Sequence, residues 1–331
     1  MTAASPPFPN AIPQGYEPLA DEPVFDPARH LALEAPAKIW SLADFGYDDS
    51  VIAATPSPVA AAGPFRLMSN EGVSAVQAVC RALRDERCTE EGQRTSSYVA
   101  GAVYRSRFLR DLTNSPDVAA FLSDVAGTEL APHSLPSQQV YINFAPDDFS
   151  KAIDNWHIDS IGFDYVLMAS DPTTFQGGKF QFFRGTLDHA ASLLDTTPGL
   201  LTEGFLEELP QDLVETIDFP GAGYALFQQG HLVLHRASRL ETQGERITLV
   251  PGFVTADVSK ADPTKVERMA GWGEPGLLAE LARHVAWRSR SKLELLAEDL
   301  PLNNDRTAIV AELKKATADI ERLVTRLERD D

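Results

Sequence analysis

The sequence predicts an α+β chain with a mainly β core, flanking helices and a C-terminal helical hairpin. Three observations carry that expectation. Between Gln138 and Phe253, short runs rich in aromatic and β-branched residues alternate with turn-forming clusters such as FPGAG and TQGE. Before Gln138, apolar residues recur at helical spacing, and beyond Phe253 two long helical stretches are joined by PLNND. A chain of 331 residues has room for one sizeable core with additions.

Residues 1–60, rich in proline and acidic side chains at their start, are expected to form an extended N-terminal arm, with Phe8, Tyr16 and Phe25 as anchors. Residues 61–137 read as a helical region packed on the core: helical periodicity spans 71–87 and 104–126. Ser115-Pro116 resembles an N-cap followed by proline in the first turn. Residues 138–256 are the expected β core, in which SQQVYINFA, the NWHID segment, SIGFDYVLMAS, KFQFFRGT, YALFQQGHLVLH and RITLVPGF read as strands. An insert at 186–218 has helix-and-loop texture and is placed to cover an end of that core.

Residues 257–331 form the C-terminal helical region, with helices expected at 276–299 and 305–330. In the second, Ile309, Leu313, Ala316, Ile320, Leu323 and Leu327 recur at alternating spacings of four and three. Such a stripe serves either a hairpin packed on its own subunit or a homodimer formed through the C-terminal helices.

Charge narrows the partners. With 48 acidic and 29 basic residues the formal charge is −19, which repels nucleic-acid backbones and anionic membranes. No segment is apolar for the length of a membrane span, and the first residues lack a basic-then-apolar signal pattern, so a cytoplasmic protein is expected. Cys80 and Cys88 form no CxxC and suit a reduced compartment. His30, His133, His189 and His284 are scattered without a carboxylate or cysteine at ligand spacing.

The chemistry concentrates elsewhere. His157 and Asp159 are two apart, so on a strand both point to one face and can grip one metal ion. A third ligand is available from His235 or from His231, four residues earlier; the eleven-residue spacing from His235 to Arg246 suits a hairpin around Thr242–Glu245 and favours His235. Two imidazoles and a carboxylate occupy one face of an octahedral ferrous ion and leave open the positions for a bidentate co-substrate and dioxygen. Arg246 and Thr248 are again two apart, a guanidinium fork beside a hydroxyl, suited to a carboxylate. An arginine among the apolar residues of RITLV is costly unless it meets an anion.

In its order of HxD, a Gly177-Gly178 segment, PG, a distal histidine and Arg-x-Thr, the sequence resembles the Fe(II)/2-oxoglutarate-dependent dioxygenase superfamily over residues 138–254, about a third of the chain. The resemblance implies a double-stranded β-helix, a jelly roll of cupin-like form. It implies that His157, Asp159 and His235 bind Fe(II), that Arg246 and Thr248 hold the distal carboxylate of 2-oxoglutarate, and that O2 is consumed with release of succinate and CO2. Related halogenases carry a small residue where this chain has Asp159, so the resemblance favours hydroxylation here, with desaturation, epoxidation or ring formation as variants.

Regular alternation would put Gln139, Tyr141 and Asn143 on one face, with Tyr141 and Asn143 placed to bond 2-oxoglutarate. Trp156, Phe163, Phe183, Arg184 and His231 are the candidate substrate contacts. The expected substrate is a small molecule, an amino acid or natural-product intermediate. Two other readings stay open: an oxygenase acting on a protein side chain, and a cupin-type protein that binds metal or ligand without oxidative turnover.

Overall fold

The computed structural model describes residues 7–89 and 94–329; residues 1–6 of the expected arm and residue 330 of the expected last helix lie outside them. The chain begins with α1 (Pro27–His30), β1 (Lys38–Ser41), α2 (Asp49–Ala54), β2 (Val59–Arg66) and α3 (Asn70–Ala82). It continues through β3 (Tyr98–Val99), α4 (Ala102–Arg105), α5 (Arg107–Thr113), α6 (Pro116–Ala126), β4 (Leu130–Pro132) and β5 (Tyr141–Phe144). Then come β6 (Asp154–His157), β7 (Phe163–Met168), β8 (Phe180–Phe183), α7 (Leu187–Leu193) and β9 (Val214–Ile217). The last elements are β10 (Tyr224–Gln228), β11 (His235–Ala237), β12 (Ile247–Val250), β13 (Gly252–Thr255), α8 (Val266–Met269), α9 (Leu277–Asp299) and α10 (Arg306–Leu327).

Two antiparallel sheets result. The larger runs β1-β2-β10-β7-β12-β5-β3, with β13 pairing β4 and β7; the smaller runs β6-β11-β8-β9. Side-chain alternation divides the larger sheet cleanly. Phe163, Tyr165, Leu167, Ala225, Phe227, Ile142, Phe144, Ile247 and Leu249 face α3, α5 and α6 in one core. Their neighbours Val166, Met168 and Leu226 face the smaller sheet and join Phe180, Phe182 and Ile217 in a second core. Burying each such aromatic or aliphatic side chain contributes roughly 1.5–3 kcal/mol.

Several expectations are corrected. The β core is not confined to 138–256, because β1 and β2 extend the larger sheet beside β10. The alanines of β2 hide it: alanine favours strands weakly, yet here a small side chain fits between packed layers. The helix expected over 104–126 is three helices. Ser106 interrupts it by capping Leu109 N–H at 3.1 Å, and Pro116 starts α6, whose preceding Ser115 makes no capping bond. The insert 186–218 ends in a true strand, β9, paired with β8.

The aromatic anchors hold the N-terminal arm. Phe8 and Tyr16 pack on Tyr104 at 5.5 and 5.0 Å between ring centroids, and Phe25 packs edge-on against Phe108. At the other end, α9 and α10 pack together as a hairpin. Of the apolar stripe on α10, Ala316 and Leu323 are buried, whereas Leu313 and Ile320 are exposed. Among the described residues no helix is long and apolar enough to cross a membrane.

Candidate metal centre

The antiparallel pairing of β6 with β11 sets His157 directly opposite His235. Their rings lie 4.1 Å apart between centroids at 60°. His157 Nδ1 is 2.6 Å from the Asn155 carbonyl and His235 Nδ1 is 2.8 Å from the Val233 carbonyl. A carbonyl oxygen only accepts, so each Nδ1 donates and each Nε2 keeps its lone pair for another partner. Burial, then the neighbouring His157, push His235 down to about 4, which keeps that ring neutral near neutral pH.

Asp159 reaches the same place by a different route from the one its spacing suggests. β6 ends at His157, so Asp159 is not on the strand; it sits in the bend that follows, its main-chain N–H donating to the Gly230 carbonyl at 2.9 Å. Its Oδ1 is 3.5 Å from His157 Nε2, and its Oδ2 is 3.4 Å from His235 Nε2. Among the described residues these three are the group whose ligand atoms converge, all within 4.8 Å. Gly230 makes room: a Cβ there would stand 2.0 Å from Asp159 Oδ2.

Behind this cluster lies a second carboxyl. Asp164 on β7 is fully buried, and burial, then the adjacent Asp159, push it well above the ordinary carboxylate range. Burial alone would raise Asp159 too, but His235 and His157 facing it hold it below that range. The pair therefore divides into an ionised ligand-type carboxylate and a protonated neighbour. The Gln228 amide nitrogen lies 3.0 Å from Asp164 Oδ1 and 3.1 Å from His235 Nε2, so it meets the lone pair that a metal ion would take. Spacing does not reveal Asp164 or Gln228; a lone Asp inside the apolar run GFDYVLM was the available signal.

The cation of the site is Arg246, at 1% exposure. Its Nε donates to the Gly178 carbonyl at 2.7 Å and its Nη1 is 3.4 Å from Thr248 Oγ1, while Nη2 is buried without a partner. Burial pushes this guanidinium down to about 10, which leaves it charged and short of an anion. Gly177 and Gly178 precede β8 and both adopt left-handed conformations, and a Cβ on Gly178 would press on Arg246 Cδ at 2.7 Å. The hairpin expected around Thr242–Glu245 does not form, because β11 lies in the smaller sheet and β12 in the larger.

These groups line one cavity of about 750 Å³ together with Asn143 and Tyr141. Thr248 stands opposite Asn143 in the β12–β5 ladder. Gln139 does not share the strand; it precedes β5 and bonds the His133 carbonyl and Asn114. The Tyr141 hydroxyl donates to Glu274 and accepts from Gln138, so it is already committed.

The other candidate substrate contacts fall outside the cavity, and alternation explains most of them. Trp156 adjoins His157 and therefore points the opposite way, into a core beneath the insert that also holds Phe183. Phe163 faces the helices in step with Tyr165. Arg184, past the end of β8, bonds the Asp212 carbonyl on the outer surface. His231 is not on a strand with His235, since a turn separates β10 from β11; its ring meets the Gly162 carbonyl at 3.0 Å.

The donor set fits a metal ion and an anionic co-ligand. Two Nε2 lone pairs and one carboxylate converge, and neither the buried Asp159 Oδ2 nor the buried Arg246 Nη2 has a hydrogen-bond partner among the described residues.

No family model matches the chain, and no curated protein matches it. Solved structures similar to it include the non-heme alpha ketoglutarate dependent epimerase SnoN from nogalamycin biosynthesis, at 19% identity over 56% of this chain and 74% of that one, TM-score 0.42. The non-heme alpha ketoglutarate dependent carbocyclase SnoK from the same biosynthesis is 16% identical over 66% and 87%, TM-score 0.42. EvdO2 from Micromonospora carbonacea var. aurantiaca complexed with 2-oxoglutarate is 16% identical over 69% and 94%, also at TM-score 0.42.

Proposed function

We propose that this protein is a cytoplasmic non-haem Fe(II)/2-oxoglutarate-dependent oxygenase that hydroxylates a small molecule and releases succinate and CO2. One observation carries the reading: a His-Asp-His donor set and a buried, anion-free guanidinium share one cavity. A protein that only bound metal would have no use for the second feature.

In this reading His157, Asp159 and His235 hold the iron, with the Asn155 and Val233 carbonyls keeping both imidazoles in the ligating tautomer. Arg246 pairs with the distal carboxylate of 2-oxoglutarate through its open Nη2, and Thr248 and Asn143 orient the same molecule. When bound, iron and 2-oxoglutarate supply dioxygen activation coupled to oxidative decarboxylation, one oxygen atom entering succinate and the other the substrate. Asp164, held protonated beside Asp159, keeps a second negative charge out of the ligand set. Because Asp159 fills the third ligand position, hydroxylation rather than halogenation is proposed.

Anaerobic titration of the apoprotein with Fe(II) and 2-oxoglutarate tests the assignment. A weak visible metal-to-ligand charge-transfer band is expected, lost in Arg246→Leu when 2-oxoglutarate is limiting. Absence of any band with the unmodified chain would overturn the co-substrate assignment.

A further inference from the structure

Among the described residues, the charged groups lining the cavity are matched, with two exceptions. Arg94 Nε is 3.2 Å from Asp154 Oδ1, Arg236 holds Glu208 through two 2.8 Å bonds, and Arg268 pairs with Glu203. Asp159 and Asp164 belong to the metal centre. Arg246 is a cation without an anion, which the oxygenase reading assigns to 2-oxoglutarate. Glu274 is the converse, an anion that makes no ion pair with any described residue.

Glu274 sits in the loop between α8 and α9, among the residues lining the cavity. Tyr141 donates to its Oε1 at 3.1 Å, and that tyrosine is itself steadied by Gln138 at 3.2 Å. The other oxygen, Oε2, is buried without a partner. Aromatic side chains also line this cavity: Trp272, two residues earlier in the loop, Tyr141, and Tyr98, whose ring lies 6.1 Å from that of Tyr141. A largely desolvated carboxylate in a cavity that aromatic side chains also line is an environment for an organic ammonium group, which gains from both the charge and the ring quadrupoles.

We propose that Glu274 is the specificity-determining residue of the cavity and receives the protonated amine of the substrate, so that the substrate class is amine-bearing small molecules. The proposal rests on the oxygenase reading for what happens next but not for the binding itself. Burial, and Glu280 nearby, push Glu274 up to about 7, and a cation bound beside it would favour its ionised form. The two unmatched charges also differ in sign: a dicarboxylate is drawn to Arg246 and an ammonium group to Glu274.

The test uses the full chain at pH 8 and a panel of alkyl, cyclic and arylalkyl amines, amino-acid amides and amino sugars, each beside its N-acetyl counterpart. Binding is read by intrinsic tryptophan fluorescence and thermal shift. Amines are expected to bind at least about tenfold more tightly than their acetylated counterparts, a difference of about 1.4 kcal/mol. That preference should vanish in Glu274→Gln. If no amine outbinds its counterpart, or if the preference persists in Glu274→Gln, the proposal is wrong. Should Glu274→Gln fail to fold, Glu274→Asp decides: a weakened amine preference supports the proposal, and an unchanged one overturns it. The charge-transfer titration separates the two readings, since a band without amine preference removes only Glu274, and amine preference without a band removes only the oxygenase.

Discussion

His235 Nε2 lies 3.4 Å from Asp159 Oδ2 because β11 pairs with β6, which brings together residues far apart in the chain. His231, although nearer in sequence to Asp159, is turned toward the Gly162 carbonyl. Replacing His235 by alanine should therefore weaken Fe(II) binding by more than the roughly 10–100-fold that loss of an outer partner costs. His231→Ala should leave it unchanged. Equilibrium dialysis of both variants checks this, and iron retention in His235→Ala would refute the ligand assignment.

Gly178 touches Arg246 without touching the metal. Its φ of +59° disfavours any side chain, and an added Cβ would meet Arg246 Cδ at 2.7 Å. Gly178→Ala is expected to displace the guanidinium and weaken 2-oxoglutarate binding by about tenfold or more, given the 2–5 kcal/mol at stake in a buried charge pair. Fe(II) affinity should stay the same. A calorimetric titration showing both affinities unaltered would contradict the carboxylate role.

Gly230 guards the other side. A methyl group there would sit 2.0 Å from Asp159 Oδ2 and 2.6 Å from Asp164 Oδ2, the latter on a fully buried residue. Gly230→Ala should lower Fe(II) affinity while far-UV circular dichroism remains native-like. Full metal binding in this variant would show that Asp159 is not held where the structure places it.

Acid should destabilise the fold through His133 and Asp262. The Leu135 N–H donates to His133 Nδ1, so the ring is neutral, and burial, then His284 beside it, push it down to about 3. The unfolded chain takes up this proton near the ordinary histidine value of about 6.5. Between those values the unfolded state binds more protons, so stability falls as pH falls, by up to about 1.4 kcal/mol per unit. Burial would raise Asp262, but His284 and Arg288 hold it well below its unfolded value, so its contribution is present above about pH 4 and lost beneath. Thermal unfolding from pH 7 to 4 should show a shallower decline in His133→Asn than in the unmodified chain; parallel slopes would remove His133 from this account.

Much of this was legible in the sequence for identifiable reasons. The helices at 277–299 and 306–327 carry a helical period sustained over more than twenty residues, and they appear where expected. Arg246 and Thr248 lie two apart along an extended segment and share a face, as their spacing predicts. The same alternation, applied one step further, would have turned Trp156 away from His157; Arg184 and His231 lie off the strands, where alternation says nothing. The alanine-rich β2 gave no strand signal, since its place is decided by the layers on either side.

By itself the sequence determined the candidate donors His157 and Asp159, the arginine and the mainly β core, because each depends on residue type and on spacing within a single segment. Only the tertiary structure decided the rest. That His235 rather than His231 meets Asp159 follows from a turn after β10 and a cross-strand register. That Glu274 stands unmatched follows from the fold bringing a C-terminal loop over β5. Contacts between distant segments depend on how layers pack, and no local period records that.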